Sequence, residues 1–311
     1  MSAFLPGISD PIPAPEVWPP TIEHRRGPAS VARHRAALRA LVAVTMSTPA
    51  RAGDGIVTVG GGKYWPGIVV GVRLLREAGC NLPVEVWHRG ALEPVSARDV
   101  AGLNVDIVDA TATARRLNDN RVEYQNEWRG GWESKLYALT HTGFQHVLFL
   151  DADAYCVADP APLFGLLTNS EPFAFWSDLP HMDGCVKWPA VWPGGAAGVP
   201  AVQGGQLLID TRAAWRTLAV AHWLCQHSDF YFCHVYGDQD CWRVALAAGA
   251  SPYRCIGPAD WVQPAFVCAH GGADYVVHRC QSKLFPGAEP RRCDAIPRES
   301  RVFDLLAGRP A

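Results

Sequence analysis

Lysine is the scarcest charge in this chain: four residues, against 24 arginines. Lys+Arg total 28 and Asp+Glu 30, a formal net charge of −2. Arg25–Arg26 and Arg291–Arg292 are short, isolated basic patches. A nucleic-acid surface shows a clustered basic excess, so nucleic acid is a poor first guess for the principal partner. No run of about 18 apolar residues escapes a charge or a breaker, which argues against a spanning helix. The N-terminus MSAFLPGISDPIPAPEVWPP lacks a basic segment followed by an apolar one, and proline interrupts it repeatedly. It does not read as a secretory leader, and the expectation is a soluble cytoplasmic protein. The 10 cysteines contain no C-x-x-C pair, which argues against a zinc framework and makes most of them small core residues.

What is present is apolar substance: 49% of 311 residues, enough to bury a large core. Residues 1–50 read as a Pro-rich arm followed by a helix, with Val31, Ala36, Leu38, Leu41 and Val44 at helical spacing. Residues 51–311 read as one domain in which strand and helix alternate. GIVTVG, PVEVWH, VDIVDA, HVLFLDA, PFAFWSD and GGQLLIDT are strand candidates. GIVVGVRLLREAG, ESKLYALTHTG, residues 213–227 and the second half of YGDQDCWRVALAAGA read as helices. Beyond Arg254 the chain looks irregular until a short strand in YVVHR. The βαβ alternation predicts an α/β fold with a mostly parallel, Rossmann-like central sheet flanked by helices.

Within that frame, VLFLDADAY sets Asp151 and Asp153 where an apolar run stops. Ligands of open α/β sheets sit beyond the carboxyl ends of the strands. A D-x-D there suits a hard divalent cation shared between carboxylates and a substrate's phosphates. The same pattern also fits two solvated acids at a turn. An aspartyl phosphatase is a further fit, although such enzymes want Thr or Val where Tyr155 stands. Gly60, Gly61, Gly62 and Lys63 lie between the first strand and a helix, where backbone N–H groups and an ammonium can face phosphate. They match neither the P-loop, since Tyr64 follows the lysine and Val57 replaces its first glycine, nor G-x-G-x-x-G, since Trp65 takes the third glycine's place. A tight turn needing positive φ is the alternative reading. Three of the four lysines, which act on phosphate as compact point charges, fall in segments expected near a ligand.

Four ordered stretches, GIVTVGGGKYWPGIVVGVRLLREAGCNLPVEVWH, RGGWESKLYALTHTGFQHVLFLDADAYCVADPAPLF, GGQLLID and YGDQDCWRVAL, resemble the α-mannosyltransferases of cell-wall mannan synthesis. These are nucleotide-sugar-dependent glycosyltransferases of GT-A type, more distantly similar to glycogenin-like enzymes. The resemblance spans roughly residues 54–250 and implies a GT-A-type domain over 51–311. It implies that Asp151 and Asp153 hold Mn²⁺ (or Mg²⁺) and, through it, the donor diphosphate. Gly60, Gly61, Gly62, Lys63 and Tyr64 would form the loop against the nucleotide, with Trp132 and Lys135 near donor sugar or phosphate. Gln206 would face the transferred sugar, and Asp238 and Asp240 would sit by its hydroxyls and reacting carbon, Asp240 being the first candidate for any nucleophile. His278 would complete the metal site and Lys283 would contact phosphate. The His-to-Lys interval is one residue shorter than the glycogenin-like pattern, and Gln203 stands where an acid is expected.

The implied reaction moves a hexose from a nucleoside diphosphate sugar, GDP-mannose or a UDP-glucose or UDP-galactose donor, to an acceptor hydroxyl with retention. The acceptor class stays open among glycan, small molecule, peptide and nucleic acid, with Trp176, Trp188, Trp192 and Trp261 as candidate sugar platforms. Rival readings are an aspartyl phosphatase or nucleotide-sugar hydrolase, and a carbohydrate-binding protein of the same fold without turnover.

Overall fold

The structure, a computed structural model, describes residues 26–116, 132–195, 198–285 and 289–309. Most of the Pro-rich arm (residues 1–25) lies outside them, as does the RGG of the second resembling stretch. Seven strands form one sheet in the order β3 (Val105–Asp109), β2 (Val84–His88), β1 (Asp54–Val59), β4 (His146–Asp151), β7 (Val202–Asp210), β6 (Phe173–Ser177) and β8 (Arg254–Pro258). Every neighbouring pair is parallel except the two that involve β7. The expected mostly parallel sheet is therefore present, with one reversed strand inside it.

Alternate residues of each strand feed two cores, as the period of two demands. Val57, Val147, Phe149, Leu207 and Ile209 face helices α1 (Pro28–Ala43), α4 (Glu133–His141), α5 (Trp215–Gln226) and α6 (Gly237–Gly249), while α3 (Ala110–Arg116) closes the same layer. Ile56, Leu148, Leu150, Ala174 and Leu208 face α2 (Trp65–Glu77) and a second sheet. That sheet has the order β5 (Ala154–Cys156), β11 (Ala273–His278), β10 (Ala265–His270), β9 (Asp260–Val262). A last helix, α7 (Glu299–Leu306), packs on α2.

Two expectations are corrected. Helix α6 begins at Gly237, so Asp238 and Asp240 stand in its first turn instead of in a loop before it. The tail beyond Arg254 is not irregular: β8, β9 and β10 precede β11. Gly257 and Pro258 fall in β8 and Pro264 between β9 and β10, and β8 and β9 alternate poorly between apolar and polar. Their identity comes from the neighbours they pair with, so little periodicity was there to read.

Candidate active site

Two pieces of topology assemble the site. First, β7 runs against β4 with Leu150 opposite Gln206, so residues 203–205 lie alongside the carboxyl end of β4. Second, the chain turns after Asp153 into β5, which pairs with β11 so that Ala154 lies opposite His278. The Arg279 N–H also donates to the Asp153 carbonyl at 2.9 Å. A residue 125 positions downstream is thereby laid against the D-x-D by an ordinary ladder.

The side chains converge accordingly. His278 Nε2 stands 3.2 Å from Asp153 Oδ1 and 3.8 Å from Asp151 Oδ2. Lys283 pairs with the other oxygen of Asp153. From α4, the buried Lys135 places its Nζ 3.0 Å from Asp151 Oδ1 and 2.6 Å from Asp238 Oδ2, and donates to the Gly204 carbonyl at 2.9 Å. Its stem crosses Phe149, with Nζ 5.1 Å from the ring centroid, so the chain's apolar part is used in the core while its head reaches the acids.

Electrostatics split the two aspartates. Burial pushes the Asp151 carboxyl above its ordinary range against the pull of Lys135 and His278. Burial acts on Asp153 in the same sense, but His278 and Lys283 together outweigh it and hold that carboxyl below the usual range. For Lys135, burial lowers and the Asp151 and Asp238 carboxylates raise, with a net rise. His278 follows the same pattern, raised by Asp153 and Asp151 against burial. The cluster thus holds three carboxylates against two ammonium groups and one imidazole.

Asp151, Asp153 and His278 each offer a ligand atom, all within 4.8 Å of one another, and are the one such group among the described residues. Ligand atoms about 2.0–2.3 Å from one small divalent ion stand roughly 3–4.5 Å apart. Two carboxylate oxygens and an imidazole nitrogen suit Mn²⁺ or Mg²⁺ with positions left for substrate oxygens. The donor set and the spacing both fit a resident cation.

An open cleft faces this group, lined by Val59, Gly60, Tyr64, Glu93, Trp132, Ser134, Lys135, Asp151, Ala152, Asp153 and Lys283. The glycine loop is both a tight turn and a cleft wall. Gly60 and Gly62 adopt φ of 140° and 55°, and a Cβ on Gly61 would lie 2.4 Å from the Glu93 carbonyl oxygen. Only Gly60 and Tyr64 of that loop line the cleft; Lys63 is exposed and stands over the Tyr64 and Phe285 rings at 5.3 and 5.1 Å.

Other expected site residues are placed differently. Asp238 joins the cluster through Lys135, whereas Asp240 is fully buried and turns back to accept the Tyr236 N–H at 2.7 Å, as a helix-start acid does. Gln206 is fully buried behind β7, where its Nε2 contacts Cys268 Sγ at 3.0 Å and its Oε1 has no partner. Trp176 is buried and donates to the Ala269 carbonyl at 2.7 Å, Trp188 lies beneath Arg243, and Trp261 packs on Phe266. None of Trp176, Trp188, Trp192 and Trp261 lines the cleft. Trp132 lines it and is 52% accessible, its ring 3.1 Å from where a Cβ on Gly237 would stand; Tyr236, 61% accessible, precedes Gly237 in the chain. Glu93 and Ser134 line the cleft without having been expected there. Ser134 sits between Trp132 and Lys135, a clue of position only, and no local pattern marked Glu93.

Comparison with known proteins agrees with this geometry. A family model described as a mannosyltransferase matches residues 53–178. The α-1,2-mannosyltransferase MNN24 of Candida albicans is 31% identical over 140 residues, 45% of this chain and 18% of that protein. The α-1,2-mannosyltransferase MNN2 of Saccharomyces cerevisiae is 28% identical over 142 residues, 45% of this chain and 21% of that protein. The chain thus spans about a fifth of the length of the curated relatives it matches. Among solved structures, the galactosyltransferase LgtC in complex with donor and acceptor sugar analogs superposes with a TM-score of 0.53 at 16% identity, over 83% of this chain and 97% of that one. The fold is that of the GT-A glycosyltransferases, and the resemblance to α-mannosyltransferases is borne out over the segment that carries the glycine loop and the D-x-D.

Proposed function

We propose that this chain is a metal-dependent glycosyltransferase that moves a hexose from a nucleoside diphosphate sugar to an acceptor hydroxyl, with retention. The observation that carries the reading is the convergence of Asp151, Asp153 and His278 at the carboxyl end of β4, facing an open cleft, in a GT-A fold. Mannose from GDP-mannose is the donor favoured by the mannosyltransferase likeness, with a UDP-hexose as the alternative.

Asp151, Asp153 and His278 would hold Mn²⁺ or Mg²⁺, which when bound supplies Lewis-acid stabilisation of the diphosphate oxygens. The chain's own residues do the rest. Lys283, half-buried at the cleft and paired with Asp153, adds a point charge where the diphosphate gains negative charge as the anomeric bond breaks. Lys135 pairs with Asp151 and Asp238 and so sets one ammonium against two carboxylates inside the protein. Asp238 would offset the positive charge of the sugar as it develops oxocarbenium character. Asp240, turned into its helix, is not aimed at that carbon, which supports front-side transfer: the departing phosphate oxygen takes the acceptor's proton and the acceptor oxygen bonds the same face. Trp132 and Tyr236 offer flat faces on which an acceptor sugar can stack.

A donor screen tests the proposal. Purified protein with Mn²⁺ is expected to release GDP from GDP-mannose, or UDP from one UDP-hexose, and to be thermally stabilised by one nucleotide in the presence of metal. Equal behaviour of Asp153→Ala and wild type in that assay sinks it.

A further inference from the structure

We propose that Gln203 is a positioning residue that fixes the orientation and tautomer of His278, so that Nε2 is the ring nitrogen presented to the cation. The inference rests on the metal-dependent reading above. Gln203 is buried at the start of β7, and its Oε1 lies 3.2 Å from the Gly205 N–H and 3.1 Å from His278 Nδ1. The backbone N–H can only donate, so the atom facing it must be the amide oxygen, which settles the side-chain amide's direction. That same oxygen faces Nδ1, and an oxygen can only accept, so Nδ1 carries the hydrogen. Nε2 is then the nitrogen left toward Asp151 and Asp153, the one arrangement in which the imidazole can join them as a ligand.

Gly205 completes the cradle. A Cβ there would stand 2.3 Å from the His278 ring atoms, so only glycine lets the ring lie flat against β7 within reach of Gln203. An N–H anchored to an oxygen behind the ring is the usual support of a metal-bound histidine, and its loss weakens metal binding about 10–100-fold. Glutamine supplies that oxygen without adding a fourth carboxylate to a site already rich in acid. This gives a physical role to the position where the family resemblance leads one to expect an acid.

The test is Mn²⁺ binding, read from the free aqua-ion signal by electron paramagnetic resonance, with no nucleotide present. Gln203→Met, similar in shape but without an acceptor oxygen, is expected to weaken Mn²⁺ about 10–100-fold. Gln203→Glu, which keeps the oxygen, is expected to bind at least as tightly as wild type. In a His278→Ala background, Gln203→Met should have no further effect, because the residue acts through that ring. Unchanged affinity in Gln203→Met, tenfold weakening in Gln203→Glu, or an equal loss with and without His278 would each overturn the inference. Failure of the wild-type protein to take up Mn²⁺ overturns the reading beneath it instead.

Discussion

Two clusters of buried charge meet at the peptide joining His278 to Arg279, and they are built in opposite ways. On the far side from the cleft, the fully buried Arg279 grips both Glu299 oxygens at 2.5 Å and donates to Ser282 O, Ser282 Oγ and the Arg291 carbonyl at 3.0, 3.1 and 2.7 Å. Glu299 also accepts the Cys293 N–H at 3.1 Å. One positive charge meets one negative, and backbone groups with the Ser282 and Tyr155 hydroxyls take the remaining valences. On the near side, Asp151, Asp153 and Asp238 outnumber Lys135 and Lys283, and the group opens onto a cleft. A network that closes on itself fastens the chain; a network of carboxylates that opens onto a cleft is free to take a ligand. Here the first holds the segment that carries His278 and Lys283 into the second.

The sharpest way to separate the two is to cut each once. Asp153→Ala removes a proposed cation ligand and the Lys283 partner together. Turnover of the donor is expected to fall by about 10²–10³-fold or more, while urea melts stay close to wild type because the released Lys283 head is already partly in solvent. Arg279→Met should invert the pattern. It leaves Glu299 buried and unpaired, an expected loss of about 3–5 kcal/mol in urea unfolding, with activity falling mainly because the folded fraction does. If Asp153→Ala proves the more destabilising of the two, the division of labour is wrong.

Asp240 is a further buried acid, outside both clusters. Burial, opposed by the Tyr236 N–H and by Arg243, raises the Asp240 carboxyl from 3.8 to about 6. The folded protein therefore holds a proton there that the unfolded chain has lost, so this group makes stability fall as pH rises through roughly 4 to 6. About two units correspond to roughly 3 kcal/mol at neutral pH. Asp240→Asn, whose amide oxygen can still accept the Tyr236 N–H, should flatten the stability profile across that window in urea melts at stepped pH. A variant as pH-dependent as wild type would remove Asp240 as the source. The smallest effect belongs to the rim: Trp132→Ala is expected to raise KM for a glycan acceptor about fivefold, near 1 kcal/mol of stacking, with kcat and Mn²⁺ affinity unchanged. A fall in kcat alone would place the ring at the donor instead.

Legibility differed sharply along the chain. Strands β1 and β4 were readable because both their faces are covered, which leaves near-continuous apolar runs such as Val147–Leu150. The D-x-D was visible because those runs end on it. Strands β8 to β10 were hidden and β11 was read only in part, and without the β5–β11 pairing nothing in the residues alone puts His278 beside Asp153; that link came only through family resemblance. Asp238 and Asp240 looked equivalent in GDQD. The turn that begins α6 sends one toward Lys135 and the other back to its own backbone. Which of the 12 tryptophans meets solvent was likewise invisible, since an indole ring suits a core as well as a rim.

By itself, then, the sequence determined the alternation that makes a covered parallel sheet and the two acids at the end of its central strand, because hydrophobic patterning and strand ends are local properties. Only the tertiary structure decided which distant groups neutralise those acids. The reversal of β7 brings Gln203 and Gly205, the β5–β11 ladder brings His278, and the sealed Arg279–Glu299 pair holds Lys283 in place. Charge compensation depends on distance in space, and a linear chain does not encode distance until its strands have paired.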